Sequence, residues 1–529
     1  MKKILPYLML LMLVAAPTHA ATTYRYSDSV TTLRGDAVGA ANVTVYLANT
    51  TTKATLYLYP SSALTTKSNP TYTDGYGRFS FYLLPGTYDI TISGTNVTTY
   101  TVEDVRIFSD TGYTYNVLDY GAIAGDAADD TAALEAAAAA AGDAGGGIVD
   151  VPSGRYKAFD IDIADSNVTV ILEAGAIIDC DSTAVAAFDI NGANGFVLKG
   201  DGRIFGPGKA TAASGSYGVQ LLNTTNATID GIEISGFYHG VRPSDTPGSA
   251  ENNAYRNLYI HDCTFAGIFP KDGDIVYNCR FEDIGTLGTH HGLYVNTAIA
   301  RGMSVASNHY EGISGSAVHV YSPTDIKFKN ISMVNESIYD CGRGYTIDIM
   351  DGRSISITGA VIANCDSIDT NTGQGIHINS SGTLRNLNIS ASIVGCDSHG
   401  FSAQTNKTEN CFFNVAVDSC GYDGVNLNVD DWSGQVVSGY NGRRGVYLNG
   451  ANRNNLVIRA RANDGLGLYL SGNSRYNMID VYSSNNISHG VSAAAGSDSN
   501  VISGISGANA GSELSNSGTG NTTTGLVTW

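Results

Sequence analysis

Histidine, tyrosine and aspartate recur near the middle of this chain at spacings that suit proton transfer. His319 and Tyr321 are separated by one valine, and Tyr294, Asp348 and His377 occupy comparable places in neighbouring segments. An imidazole, a phenol and a carboxylate are the groups of general acid–base catalysis. Arg242, Lys271 and Arg353 supply cations for an anionic ligand, and arginine can grip a carboxylate in two places. Phe269 and Tyr294 offer ring faces on which a sugar can stack. Paired carboxylates, which hydrolysis of a glycosidic bond needs, are offered by Asp348 with Asp351 and by Asp272 with Asp274.

These residues come from separate copies of one repeat. A small residue followed by apolar, any, apolar recurs twelve times between Gly218 and Gly490, about 25 residues apart. Examples are His291-Gly-Leu-Tyr-Val-Asn, Ser316-Ala-Val-His-Val-Tyr and Gln374-Gly-Ile-His-Ile-Asn. Alternation of period two marks strands, and a period of this length marks a solenoid. With the small residue at position zero, position one is always apolar, from Val219 through Val318 and Ile347 to Val491. That face is the expected core. Position two then points outward as Arg242, Phe269, Tyr294, His319, Asp348 and His377, and position four as Lys271, Asn296, Tyr321, Met350 and Asn379. The expectation is one exposed patch over about five coil spacings, or about 25 Å. Ser244–Arg256 and Asp283–Thr289 are longer inserts that would wall it. Histidines one place before the small residue (His239, His291, His399, His489) read as a turn preference. A second recurring mark, Asn226, Asn257, Asn278, Asn330, Asn386, Asn410, Asn455, Asn477 and Asn500, reads as a stacked asparagine turn.

Composition agrees with many tight turns: 62 of 529 residues are glycine and 15% are charged. The net charge of −19 argues against nucleic acid or an anionic membrane as the main partner. It leaves an acidic polysaccharide open wherever a local basic cluster reverses the field. Residues 1–20 read as a signal peptide, with Lys2 and Lys3, an apolar run and Thr18-His19-Ala20. No later run is long and apolar enough to span a membrane, so the expected product is secreted or at the cell surface. The eight cysteines lack any CxxC spacing, which disfavours zinc, and their periodic placement suits free thiols stacked inside the coil. Cys396 and Cys420, on neighbouring coils, are the pair best placed for a bridge.

Three segments follow: the leader, an accessory domain over 21–108, and the repeat domain over 109–529. In the accessory domain, Val43–Leu47, Ala54–Tyr59, Arg78–Leu83 and Tyr88–Ile92 alternate like antiparallel strands. The stretch from Thr73 to Ile92 resembles the transthyretin-like, or carboxypeptidase-regulatory-like, β-sandwich. The repeat domain opens with Tyr115-Asn-Val-Leu-Asp-Tyr-Gly-Ala, Gly125-Asp126, Asp129-Asp130-Thr131, an alanine-rich helix over 131–141, and Gly145-Gly-Gly-Ile-Val-Asp-Val-Pro152 before Gly154-Arg-Tyr156. Asp129, Asp130 or Thr131 suits the helix N-cap. This opening resembles the pectate-lyase-like superfamily, with tailspike depolymerases among its members.

The resemblance implies an all-β fold: a right-handed, single-stranded parallel β-helix from about 145 to 510, capped by that helix. An irregular tail is expected beyond about 496. The resemblance also implies a polysaccharide substrate, and a trimer by the tailspike comparison. Uronan lyases, galacturonan hydrolases, mannuronan epimerases and tailspike depolymerases share this architecture. A lyase assigns His319, Tyr321, Tyr294 and Asp348 to proton transfer, and Arg242, Lys271, Phe269, His377 and Arg353 to substrate binding. The hydrolase motifs do not occur in order, and the Asp-Pro-His of the epimerases is absent. A tailspike-type hydrolase and a non-catalytic adhesion protein are the alternatives. No cofactor motif occurs; turn aspartates would suit calcium, but without EF-hand-like spacing.

Overall fold

The computed structural model describes residues 24–528, apart from short segments at 32–36, 49, 59–64, 85, 96, 108–113, 245–249, 297–300 and 367–372. The signal-peptide segment lies outside the described residues. The chain divides into two compact units, residues 1–113 and Thr114–Trp529.

The first unit is a small antiparallel sandwich. One sheet orders Tyr24–Ser29, Arg78–Leu83, Leu56–Tyr57 and Thr66–Lys67; the other orders Thr71–Tyr72, Asn42–Leu47, Gly86–Gly94 and Val97–Ile107. Alternation sends Val43, Val45, Phe81, Leu83 and Ile90 into one shared core. Of the strand expected over 54–59, Leu56–Tyr57 is strand, and residue 59 lies outside the described residues.

The second unit is a parallel β-solenoid. Thr114–Asn116 pairs with Gly147–Val151, and every later strand pairs in parallel with its counterpart one coil on. Pairing continues through Val501–Gly507 with Thr522–Thr528, so the regular stack runs past 510 and the tail is a further coil. One α-helix, Thr131–Asp143, covers the first coil with Ala133, Leu134, Ala137, Ala138 and Ala141 buried. Its first turn is held by Asp129, whose carboxylate accepts from the Thr131 N–H at 2.9 Å. Asp130 serves elsewhere, accepting from the Ile123 N–H at 2.8 Å.

The small residue of the repeat has a steric cause. A Cβ on Gly218 would lie 2.6 Å from the Gly240 carbonyl oxygen of the next coil, and one on Gly344 would lie 2.3 Å from that of Gly375. Successive coils touch backbone to backbone there, so the position takes the smallest side chains, glycine in most coils and Ala317 in one. This fixes the frame of one repeat differently from the sequence pattern. Val318 pairs with Tyr345, and Tyr345 with Ile376. The frame of that coil therefore starts at Gly344, not Thr346. Tyr345 fills the core position, and Ile347 takes the second inward place.

The asparagine turn resolves into two devices. Asn226, Asn257, Asn278, Asn330, Asn386 and Asn410 take positive φ between 52° and 57°, which asparagine tolerates better than most residues. In the last coils Arg453, Tyr476 and Ser499 hold that conformation, and the next residue turns inward. Asn454, Asn477, Asn500 and Asn521 then form a buried ladder with side-chain bonds of 2.9–3.0 Å. Asn455, by contrast, is an exposed strand residue. All eight cysteines are free and buried, as their periodic placement suggested, and Cys396 and Cys420, the pair best placed for a bridge, are free with the rest.

Candidate functional site

The site face is built from Ala266–Ile268, His291–Asn296, the starts of Ser316–Val334 and Arg343–Ala363, and Gln374–Arg385. Three side-chain columns run along it. The first holds Ala266 beside His291, then Ser316, Arg343 and Gln374. The second holds Tyr294, His319, Thr346 and His377, and the third Asn296, Tyr321, Asp348 and Asn379. Asp348 therefore sits beside Tyr321, not in the His319 column, because the frame begins at Gly344.

A chain of polar contacts ends on Asp348. The Ser316 N–H donates to His291 Nδ1 at 3.2 Å. A neutral imidazole that accepts at Nδ1 carries its proton on Nε2. His291 Nε2 lies 2.8 Å from His319 Nδ1, so His291 donates and His319 accepts. The His319 proton is then on Nε2, which faces Asp348 Oδ2 at 3.4 Å. Burial holds the His291 pKa well below the usual imidazole range, and the neighbouring His319 and His290 add to that effect. The relay's first member is thus neutral.

Asp348 is pulled two ways. Burial raises its pKa, but His319, His377 and Arg343 outweigh that and hold it below the ordinary value. Its side chain is 28% exposed and that of His319 only 13%, so the expected open patch is a half-buried floor. Asp348 Oδ1 and His319 Nε2 are both buried without a hydrogen-bond partner among the described residues, so the last step of the chain is a close approach and not a hydrogen bond. Tyr294 stacks on His319 with centroids 5.2 Å apart, and Tyr321 lies 5.5 Å from the same imidazole. Burial and the Arg343 charge push the His377 pKa down to about 4. Burial also lowers the Arg343 pKa, and Asp348 counteracts this.

The remaining candidates fall into three groups. Phe269 and Lys271 are 4% and 5% exposed, so neither presents an open surface to a sugar. Phe269 packs on Tyr294, and the Arg242 guanidinium covers its ring at 4.3 Å. Arg353 lies beyond the bend, in register with Lys329 and Arg385, and is exposed on another face. Asp274 is fully buried; it accepts from the Lys271 and Asn253 N–H groups at 2.7 Å, and burial pushes its pKa up to about 7. Asp272 accepts from the Arg301 N–H. Neither forms a hydrolytic pair on this face; Asp351 is in backbone register with Lys327, and its side chain lies outside the described residues. From Tyr294 to Asn379, Asp348 is the one carboxylate on the face among the described residues.

Of the inserts, Asp283–Thr289 precedes the site strand, with Asp283 held by Lys209 at 2.8 Å. Part of Ser244–Arg256 lies outside the described residues. His291 and Arg343 are the residues that the repeat pattern passed over. The signal for His291 was its place on the same short segment as Tyr294. Arg343 becomes visible only once the frame starts at Gly344.

Residues 194–362 match the family model described as "Right handed beta helix region". The solenoid is a right-handed parallel β-helix. Among solved structures, the β-helix is similar to the Thermotoga maritima exopolygalacturonase (11% identity, TM-score 0.38, 72% of this chain and 92% of that one). It is also similar to the Streptococcus pneumoniae surface adhesin PfbA (12% identity, TM-score 0.38, 76% and 91%). The Azotobacter vinelandii mannuronan C-5 epimerase AlgE6 A-module is a third (16% identity, TM-score 0.29, 78% and 99%). No curated protein matches the sequence significantly. No helix among the described residues is long and apolar enough to cross a membrane.

One acidic group elsewhere can gather a cation. Asp160, Asp162 and Asp189 place a carboxylate oxygen each within 4.8 Å of one another. Burial, with Asp162 and Asp160 nearby, pushes the Asp189 pKa up to about 6. The group is on the early coils, away from Asp348.

Proposed function

We propose that this exported β-helix protein is a polysaccharide lyase acting on a uronate-containing chain, with Asp348 as its base. The observation that carries this is the direction of the relay. Ser316 and His291 donate in turn, which leaves the His319 proton on the nitrogen that faces Asp348 at 3.4 Å, so the chemistry belongs to the carboxylate at the end and His319 is a positioning residue. Glycoside hydrolysis needs two carboxyl groups across the bond, and this face supplies one.

In the proposed reaction Arg343 neutralises the uronate carboxylate, which acidifies the adjacent C–H. Asp348 takes that proton. The electron pair forms the new C=C bond, the C–O bond to the leaving sugar breaks, and the leaving oxygen takes the proton of the Tyr321 hydroxyl. Proton transfer from Asp348 back to Tyr321 through water restores both groups. A bound sugar excludes water from Asp348, which raises its pKa toward that of a working base. Tyr294 and His377 line the two ends of the floor.

Incubation with polygalacturonate, alginate and other uronans tests this. The expected product carries the ultraviolet absorbance of an unsaturated uronate end. New reducing ends without that absorbance would establish hydrolysis instead. Binding without any chain cleavage would establish the adhesin reading.

A further inference from the structure

The four coils that carry the site also carry a second register column, on the next face. Arg301 pairs with Lys329, Lys329 with Arg353, and Arg353 with Arg385. Arg301 shares its coil with His291 and Tyr294, Lys329 with His319 and Tyr321, Arg353 with Arg343 and Asp348, and Arg385 with His377. The block is bounded by acids at both ends. Asp272, one coil before, accepts from the Arg301 N–H, and Glu409, one coil after, takes Arg385 in a two-point bond of 2.8 and 3.1 Å. Arg301 and Arg353 are exposed, and Lys329 and Arg385 half-buried.

A run of four cations in consecutive coils is unexpected on a chain with 30 basic and 49 acidic residues. Coil stacking sets their spacing at about 4.8 Å. Like charges this close repel, so without a ligand the arrangement destabilises the fold. An anionic chain lying along the axis offsets that repulsion. Asp348 and Arg353 are five residues apart, so the column runs no more than about 18 Å from the reacting carboxylate.

We infer that Arg301, Lys329, Arg353 and Arg385 form an accessory subsite that holds an extended polysaccharide bearing an anionic group on successive sugars, parallel to the solenoid axis. It rests on the uronan reading above and adds a second, non-catalytic contact that keeps the chain on the enzyme between turnovers. Four positive steps between negative ends also limit how many charges the chain can present there at once.

The test is a titration of the full-length protein with polygalacturonate, alginate, carrageenan, neutral dextran and single-stranded DNA at rising salt. The triple variant Arg301→Ala/Lys329→Ala/Arg353→Ala should bind the uronans about tenfold or more weakly and lose most of the salt dependence. The charge-preserving Arg301→Lys/Arg353→Lys should stay within about threefold of the parent, which separates charge from folding. Carrageenan bound as tightly as the uronans assigns the column to anionic repeats in general. Three results overturn the inference: a triple variant that binds like the parent, a parent that prefers dextran, or single-stranded DNA binding in place of every polysaccharide. Asp348→Asn separates this from the reaction. If it keeps full turnover while the triple variant loses affinity, the lyase assignment fails and the subsite stands. If turnover is lost while the triple variant binds unchanged, the reverse holds.

Discussion

The coils around Asp348 and the coils beyond Val425 share a backbone, a register and a glycine column, yet differ in both their outward and inward chemistry. The later outward column reads Asn426, Tyr447, Tyr469 and Ser492, with no ionisable acid–base pair. Arg444 occupies the place that Arg343 holds in the site. Its charge is taken up by Asp423 at 2.6 and 3.0 Å, and its plane lies 3.5 Å over Tyr447. Inside, Cys341, Cys365, Cys396 and Cys420 follow one another in a turn column that passes to Asn441, Asn463, Asn486 and Asn509. Position in the repeat therefore fixes where a side chain points, and its neighbours on adjacent coils fix what it does.

The sharpest way to break this contrast is by activity. Asp348→Asn should lower uronan turnover by about a thousandfold, while Tyr469→Phe on the later coils stays within about twofold. Equal losses at both positions would dissolve the distinction. Tyr321→Phe should cost about a hundredfold. His319→Gln should cost about tenfold, since it weakens the aim of Asp348 without removing it.

Stability supplies a second contrast within the single turn column. Asn463→Ala removes the acceptor of the Asn441 backbone and side-chain amides and leaves that buried N–H unpaired, and should cost about 3 kcal/mol in a denaturant melt. Cys396→Ala removes a small buried thiol and should cost about 1 kcal/mol. If the two cost the same, the ladder is no more than packing.

The smallest expected effect is on pH dependence. Burial pushes the Glu336 pKa up to about 7, against the hydrogen bonds of Asn308. A raised carboxyl pKa contributes stability that is full below about pH 4.3, the unfolded value, and is lost as the pH rises through about 7. The His377 shift has the opposite sense: neutral when folded, it costs stability as the pH falls from about 6.5 toward 4. Glu336→Gln should therefore narrow the loss of melting temperature between pH 5 and 8 by a few degrees. An unchanged difference would place the ionised carboxylate in the folded state throughout.

Much of this was legible in the chain. Alternation at Val241, Leu293, Val318 and Ile376 marked the core, and the opening motif marked the capped solenoid. The frame at Gly344 was not legible, because Tyr345-Thr-Ile-Asp scans equally well two residues later and an aromatic core residue mimics an outward one. That slip put Asp348 in the wrong column and hid Arg343. Lys271 and Phe269 were expected on the surface because register alone cannot show that Arg242, His239 and Tyr294 close over Phe269, or that Lys271 is buried beside it. The direction of the relay depends on a backbone N–H at Ser316, which no side-chain pattern reports.

The glycine column has one further consequence. Where backbones touch, the pitch of the stack does not depend on which side chains decorate it. The solenoid is a ruler whose divisions are set by peptide groups, with markings that change freely. Exchanging one outward residue for another alters the recognised chemistry at that division and leaves every other division in place.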